Sequence, residues 1–420
     1  STDHGLLADE MGLGKTLQVL ALMSLLEDAG NLSPTLVVAP LSVLQNWEAE
    51  ADRFFAGKFR RRERLHSGMR VTAGNLRKAD VVLASYESVR TQQLELGRVR
   101  WRLMVCDESH RIKNPTTQTT RAVMAMDAER RIAMTGTPVQ NSLDDLWSQF
   151  DWLQPGLLGD LKSFRQQFGA AKPESERAAA LEQLRNTVKP RMLRRLKSLV
   201  AVDLPQKTVR RIELPLRTEQ AQLYTAVLRE VKDAGGSTLA VLHRLFGVCC
   251  HPEKRHSGQA ETVDNVKLTW LMSLLDEIRD AGEKVVIFAE WYALQDQLSM
   301  EIARRYGITV DRINGQVAAD QRQWKVDEFN ATEGFAVMTL GPRAAGIGLN
   351  ITAANHVVHY TRHWNPALEA QATDRCHRIG QTRPVTVYLP ITTHPETTTV
   401  EQHLDKLLRS KEAVARDVIV

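Results

Sequence analysis

Short runs of apolar, largely β-branched residues alternate with helical stretches twice along this chain, and no other feature limits the possible fold so sharply. Thr35–Ala39, Val81–Ser85, 102–106 and 131–135 make the first series; 285–289, 335–339, 356–360 and 385–389 make the second. Strands that read as nearly unbroken apolar runs are buried on both faces, and strands separated by helices pair in parallel. Two such series predict two α/β lobes, each a parallel sheet with helices on both faces. Residues 1–156 form the first lobe and 268–400 the second. Between them, 157–267 carry Leu, Arg, Gln, Glu and Ala at helical spacing and predict helical insertions. One extended segment, 207–216, is marked by Thr208, Val209, Ile212 and Leu214, and is expected to return to the first sheet. Leu404, Leu407 and Leu408 predict an amphipathic helix over 401–420.

A chain of 420 residues exceeds one ordinary core, so an interdomain cleft is expected, and ligands favour clefts. The composition is that of a water-soluble globular chain, and no apolar run approaches the roughly 20 residues of a membrane helix, so no membrane partner is expected. Cys106, Cys249, Cys250 and Cys376 lack C-x-x-C spacing, which points away from zinc and disulfide scaffolds and towards a reducing interior. The net charge of +5 is modest, but its distribution is uneven. Lys58, Arg60, Arg61, Arg62, Arg64, Arg70, Arg77 and Lys78 form one basic run, and Lys189, Arg191, Arg194, Arg195 and Lys197 another. Such runs suit either a polyanion or a solvated face.

Asp9-Glu10-Met11-Gly12-Leu13-Gly14-Lys15-Thr16 reads as a phosphate loop running into a helix whose apolar face is Leu17, Leu20, Ala21, Ser24 and Leu25. Glycines let backbone N–H groups wrap phosphates, the helix N-terminus adds positive potential, Lys15 offsets phosphate charge, and Thr16 can ligate Mg²⁺. The strict pattern has glycine where this chain has Asp9. Further on, an apolar strand delivers Asp107 and Glu108 at its carboxyl end, where α/β sheets place ligands. Asp107 suits the metal, and Glu108 suits polarisation of an attacking water. Arg375 and Arg378, three apart, would share one side of a helix and could stabilise a transferring phosphoryl group.

With Thr135-Gly136-Thr137-Pro138-Val139-Gln140-Asn141, Trp364-Asn365-Pro366 and His377-Arg378-Ile379-Gly380-Gln381, these blocks occur in the order and approximate spacing of Swi/Snf-like ATPases of helicase superfamily two. The chain resembles that family over nearly its whole length. Weaker blocks fall in register: 40–44 with Asn46-Trp47, Ser85-Tyr86-Glu87, 192–195, 203–207, and Cys249-Cys250-His251-Pro252, whose cysteines read as packing residues. The resemblance implies two RecA-like lobes, ATP and Mg²⁺ as ligands, and a motor that translocates on double-stranded DNA without efficient strand separation. It implies nucleotide contacts from Asp9, Met11, Gly12, Leu13, Gly14, Lys15, Thr16, Leu17, Gly346 and Gly348. Catalysis falls to Lys15, Asp107, Glu108, Gln140, Arg375 and Arg378, with Thr135, Gly136, Thr137 and Gln140 coupling nucleotide state to DNA. Ser42, Lys113, Asn114, Arg343 and Trp364 are the candidate DNA contacts.

Where the family has Lys-Ala-Gly-Gly, this chain has Arg343-Ala344-Ala345-Gly346, which keeps the charge and loses one glycine. Thr361-Arg362-His363 stands before Trp364 where many eukaryotic members carry an acid, which leans towards a prokaryotic member. The family's adenine-reading block lies upstream of the phosphate loop and has no counterpart here, so the chain is expected to be part of a longer protein with flanking domains or protein partners. The setting is cytoplasmic or nucleoid-associated in a prokaryote, nuclear in a eukaryote. Transcription, repair, nucleoprotein remodelling and defence against foreign DNA all use such motors. An RNA or single-strand helicase of the same superfamily, and a DNA-binding scaffold that hydrolyses nothing, are the alternatives.

Overall fold

The computed structural model describes residues 4–66, 68–140, 142–169, 174–200, 203–234, 238–256, 259–342 and 349–419. The chain divides into two compact units, Ser1–Val202 with Lys411–Val420, and Asp203–Ser410.

In the first unit, β1 (His4–Leu7), β2 (Thr35–Ala39), β3 (Arg62–Arg64), β4 (Val81–Ser85), β5 (Trp101–Asp107), β6 (Ala128–Met134) and β7 (Met192–Leu193) make one sheet in the order β3-β4-β2-β5-β6-β1-β7. Every pairing is parallel. The period of two is visible in the packing: Leu36, Val38, Val82, Ala84, Met104 and Cys106 enter one core, whereas Val37, Val81, Leu83, Leu103 and Val105 enter the other. The helices Lys15–Asp28 and Leu41–Phe54 cover the second face through Val19, Leu20, Met23, Leu44 and Trp47. The face expected for the first of these helices is corrected, because Leu25 is 68% exposed and Met23 fully buried. That helix is apolar nearly all round, so spacing alone does not choose its buried side. Leu161–Phe168 and Glu174–Val188 pack on the opposite face with Phe164, Phe168, Leu181 and Leu184.

The second unit contains β8 (Lys207–Pro215), a short antiparallel hairpin of β9 (Glu253–His256) and β10 (Gln259–Thr262), then β11 (Lys284–Phe288), β12 (Asp311–Ile313), β13 (Ala336–Leu340), β14 (His356–His359) and β15 (Val385–Thr393). Its sheet runs β12-β13-β11-β14-β15-β8, again with parallel pairings throughout. The extended segment expected to rejoin the first sheet is thus an edge strand of the second. Its nine residues match β15 in unbroken register from Lys207 opposite Val385 to Pro215 opposite Thr393. In the first sheet β7 already pairs with the outer side of β1. The helices Thr218–Ala234 and Thr238–Cys250 pack in this unit, where Cys249 and Cys250 are fully buried.

The helix Val400–Ile419 buries Leu404 and Leu408 and is held to its sheet by charge. Lys267 Nζ, wholly enclosed, pairs with Glu401, whose other carboxylate oxygen accepts from Thr392 N and Thr392 Oγ1, both at 2.8 Å. Arg362 donates to Asp405 at 2.7 Å and through Nε to both oxygens of Glu369 at 2.9 Å. Removing one partner of such a pair strands a buried charge, a loss of about 3–5 kcal/mol.

His359 gives this unit an acid sensitivity. It is 1% exposed, stacks on Phe288 at 5.1 Å and meets Thr373 Oγ1 at 2.8 Å. Burial depresses its pKa from 6.5 to about 4, with the neighbouring Arg362 and His363 acting the same way and Glu369 opposing. Between these values the unfolded chain binds the proton and the folded chain does not, so stability present above pH 6.5 is lost as pH falls towards 4. The effect is worth up to about 3 kcal/mol. Melting temperature measured between about pH 7.5 and pH 5 should therefore fall further in the parent than in His359→Gln, which retains an amide for Thr373. Equal losses in the two proteins would remove His359 from this role.

Candidate functional site

The register of three strands builds the site. Leu7 at the end of β1 and Asp107 at the end of β5 both stand opposite Met134 at the end of β6. The loop after Leu7, the turn after Asp107 and the segment from Thr135 therefore leave the sheet along one line, at the edge where parallel sheets bind ligands.

In the loop, Gly12 and Gly14 have φ of 85° and 71°, which lets the backbone fold tightly before the helix begins at Lys15. Lys15 Nζ donates to the carbonyls of Asp9 at 2.8 Å and Glu10 at 3.2 Å, lying back across its own loop. Asp9 is fully buried, and its carboxylate accepts from Arg195 N at 2.9 Å, Arg195 Nε at 3.1 Å and Gln18 Nε2 at 3.1 Å. Burial alone would raise the Asp9 pKa, but Arg195 and Gln18 outweigh it and hold the carboxyl below its ordinary value. The acid that replaces the usual glycine thus clamps the loop to Arg195. Arg194 donates to Ala8 O at 3.1 Å, and Lys197 is buried beside Glu10. Arg194 and Arg195 of the second basic run thus hold the loop through their guanidinium groups, and Lys197 through its backbone N–H to Glu10. In the first run, Lys58, Arg61, Arg62 and Arg64 each pair with a carboxylate of this unit.

Asp107 accepts from the Trp47 indole N–H at 3.0 Å and from Glu108 N at 2.8 Å, while Tyr86 OH donates to its carbonyl at 2.7 Å. Burial, reinforced by the neighbouring Glu108, pushes the Asp107 pKa up to about 6, with Lys15 and Trp47 opposing. Two carboxylates side by side at a buried strand end offer hard oxygen donors of the kind that suit a divalent cation such as Mg²⁺. Among the described residues no group of three or more His, Cys, Asp or Glu gathers to hold a metal. A hard cation here must complete its shell with water and phosphate oxygens, as Mg²⁺ does. Glu108 has φ 50° and ψ 52°, a left-handed conformation unusual for a side-chain-bearing residue, and stands 3.2 Å from His110 Nδ1.

The third segment touches the other two. A Cβ placed on Gly136 would lie 2.6 Å from Met11 Cγ, so the phosphate loop rests directly on this glycine. Gln140 Nε2 donates to Thr137 Oγ1 at 3.2 Å, its Oε1 accepts from Lys113 Nζ at 3.0 Å, and Thr137 N donates to Thr135 Oγ1 at 3.1 Å. Lys113 is thus tied to the segment that follows β6. Ser42 is exposed on the first turn of its helix, and Asn114, also exposed, accepts from Thr116 N at 3.0 Å. Trp47, Gln18, Arg195 and Tyr86 carry the site without having been assigned to it. Of these, Trp47, Tyr86 and Arg195 stand in motif blocks that the sequence displays.

In the second unit, Asn365 caps the helix Pro366–Thr373, and Trp364, 47% exposed, meets Phe246 edge-on at 5.8 Å. Arg375 and Arg378 do not share a helical face, because that helix ends at Thr373. Beyond it Ile351 N draws on Arg375 O at 3.0 Å, Cys376 is fully buried, and His377 Nε2 meets Pro205 O at 2.8 Å. These tertiary anchors turn the chain away from the helix axis and leave both arginines half-buried on a compact turn. Gln381 latches the turn by donating to Ala354 O at 2.8 Å and Cys376 O at 3.0 Å. Arg343, Gly346 and Gly348 lie outside the described residues.

A glycine-turned loop with a lysine-headed helix, a level pair of carboxylates and a third segment resting on that loop define a phosphate-loop ATPase of the helicase type. Comparison with known proteins gives the same class: an SNF2-related domain matches residues 1–259, and a helicase conserved C-terminal domain matches residues 266–380. The chain belongs to the SNF2-related family of helicase-like ATPases. Among its relatives is the Zorya protein ZorD of Escherichia coli, 40% identical over 99% of this chain and 42% of the relative. Another is YwqA of Bacillus subtilis, whose descriptive name is that of an ATP-dependent helicase/translocase, 35% identical over 98% of this chain and 46% of the relative. The chain spans less than half the length of these two curated relatives. A solved SWI2/SNF2 ATPase core from Sulfolobus solfataricus in complex with dsDNA is 33% identical, with 99% of this chain and 88% of that one covered at a TM-score of 0.47. Among the described residues no helix is long and apolar enough to cross a membrane.

The Gly136 contact supplies a test. Gly136→Ala should lower ATP turnover by roughly tenfold or more, because a methyl group there displaces the phosphate loop from a site that tolerates little misplacement. Met11→Ala in the same chain should restore much of the loss by vacating the space. Steady-state hydrolysis of the single and double variants decides it, and an undiminished Gly136→Ala would show the loop free to move.

Proposed function

We propose that the chain is the ATP-hydrolysing core of a motor that translocates on double-stranded DNA and displaces bound protein without efficient strand separation. The observation that carries this reading is the common edge of β1, β5 and β6, where the phosphate loop, the Asp107–Glu108 pair and the Thr135–Gln140 segment emerge together. Lys15 offsets phosphate charge, Glu108 orients and polarises the attacking water, and Arg375 and Arg378 act on charge that develops on the transferring phosphoryl group. Thr16 and Asp107 would hold Mg²⁺, which would supply positive charge to offset that of the phosphates. Gln140 carries a change at the loop towards Lys113. Movement along duplex rather than strand separation is supported by membership of the SNF2-related family. Ser42, Lys113, Asn114, Arg343 and Trp364 are proposed as contacts to the DNA backbone, which carries no sequence information. A prokaryotic setting in repair, transcription or defence against foreign DNA accords with the bacterial sources of the Escherichia coli and Bacillus subtilis relatives.

Hydrolysis measured with duplex DNA, single-stranded DNA and RNA tests the proposal. Duplex DNA should stimulate most, and its effect should fall steeply with salt as phosphate contacts release counterions. Triplex displacement should be positive while forked-duplex unwinding stays near background; efficient separation of a plain duplex, or stronger stimulation by RNA, would point to a true helicase. Lys15→Ala should abolish turnover. Glu108→Gln should bind ATP and not hydrolyse it, and loss of binding would move Glu108 into the metal shell. Arg378→Ala should lower turnover roughly a hundredfold with ATP affinity within a few-fold, as for a group acting on the transition state.

A further inference from the structure

The helix Leu143–Leu153 buries Leu146, Phe150 and Leu153 in the first unit's core, yet between them Gln149 is also fully buried. A primary amide in such a seat is destabilising unless every polar atom finds a partner, and here each does. Gln149 Oε1 accepts from Ser109 Oγ at 2.7 Å, while Nε2 donates to Pro138 O at 2.8 Å and to Asp145 O at 2.9 Å. Ser109, itself fully buried, directly follows the left-handed Glu108, and Pro138 lies two residues after Gly136, on which Met11 rests. Asp145 extends the connection by accepting from Gln140 N at 3.0 Å. One side chain therefore joins the turn that presents Glu108 to the segment in contact with the phosphate loop.

We propose that Gln149 is a positioning residue that holds the Glu108 turn and the 135–140 segment in one frame, so that a shift of either reaches the other. This inference rests on the ATPase reading above. Gln149 is fully buried and its side-chain bonds all go to protein groups, so it acts through Ser109 and Pro138. Because all three amide bonds are satisfied in a dry environment, the frame is stiff, and a hydrocarbon of the same length would fill the space without the connection.

Gln149→Met keeps length and burial and removes the bonds, and Ser109→Ala removes one end of the bridge. With duplex DNA, each should cut the ratio of stimulated to unstimulated hydrolysis at least tenfold, leave KM for ATP within about twofold, and give a double variant no worse than the singles, since both sever one connection. A merely structural role would lower both rates together and leave the ratio unchanged. Hydrogen exchange supplies a readout independent of DNA: ATP binding in the parent should alter protection of the amides in 109–113 and 136–140 together, and in Gln149→Met the two segments should respond separately. A parent without DNA stimulation would overturn the motor reading alone, with the exchange experiment still deciding the connection. Full stimulation in Gln149→Met, or unchanged joint protection, would overturn the role given to Gln149.

Discussion

Parallel backbone hydrogen bonds that set β6 between β1 and β5 govern the first unit, because they bring Leu7, Met134 and Asp107 level at the carboxyl edge. The loop after Leu7 then emerges within reach of the turn after Asp107 and the linker after Met134, although 100 or more positions of chain separate it from either. None of the side chains at this edge could supply that proximity itself, since most are short or committed to local bonds. The sheet is in turn held by two apolar layers that enter it on alternate residues, so a register slip of one residue in β5 would drive Val105 and Cys106 into the wrong cores and carry Asp107 off the line.

Within that frame, polar burial does the finer positioning. Asp9 is enclosed with Arg195 and Gln18, Asp107 with Trp47, and Ser109 with Gln149, each replacing water by a fixed partner. The second unit uses the same device at a larger scale, where Lys267 with Glu401 and Arg362 with Glu369 and Asp405 fasten the last helix to its sheet. Buried pairs of this kind add little net stability over apolar replacements of the same shape, but they penalise every arrangement that separates them. They therefore select one pose of the segments they join.

Much of the fold was legible without coordinates. The limits of Thr35–Ala39 and Val81–Ser85 coincide with those read from the sequence, because a strand buried on both faces reads as a nearly continuous apolar run. In the two main sheets β1, β3, β7 and β12 were missed: β1 has four residues beside the glycines of the loop, β3 reads Arg-Glu-Arg, whose pairing with β4 comes from the backbone rather than from apolar character, and β7 and β12 have only two and three residues. The lysine, the glycines and the carboxylate pair could be named as candidates because phosphate and metal chemistry demand those groups at those spacings. Trp47 and Tyr86 stood in recognisable blocks, yet which atom each would serve depends on contacts across the sheet.

The sequence by itself determined the two parallel sheets, the phosphate loop and the acidic pair, since alternation of apolar runs and the local spacing of glycine, lysine and carboxylate are properties of neighbouring residues. Only tertiary structure decided that β8 joins the second sheet, that Arg375 and Arg378 leave the helix before them, and that Arg195 serves Asp9 across a separation of 186 residues. Each of these is settled by which distant groups can satisfy a buried polar atom or an open strand edge. That competition takes place among parts of the chain brought together by packing, and no local pattern records its outcome.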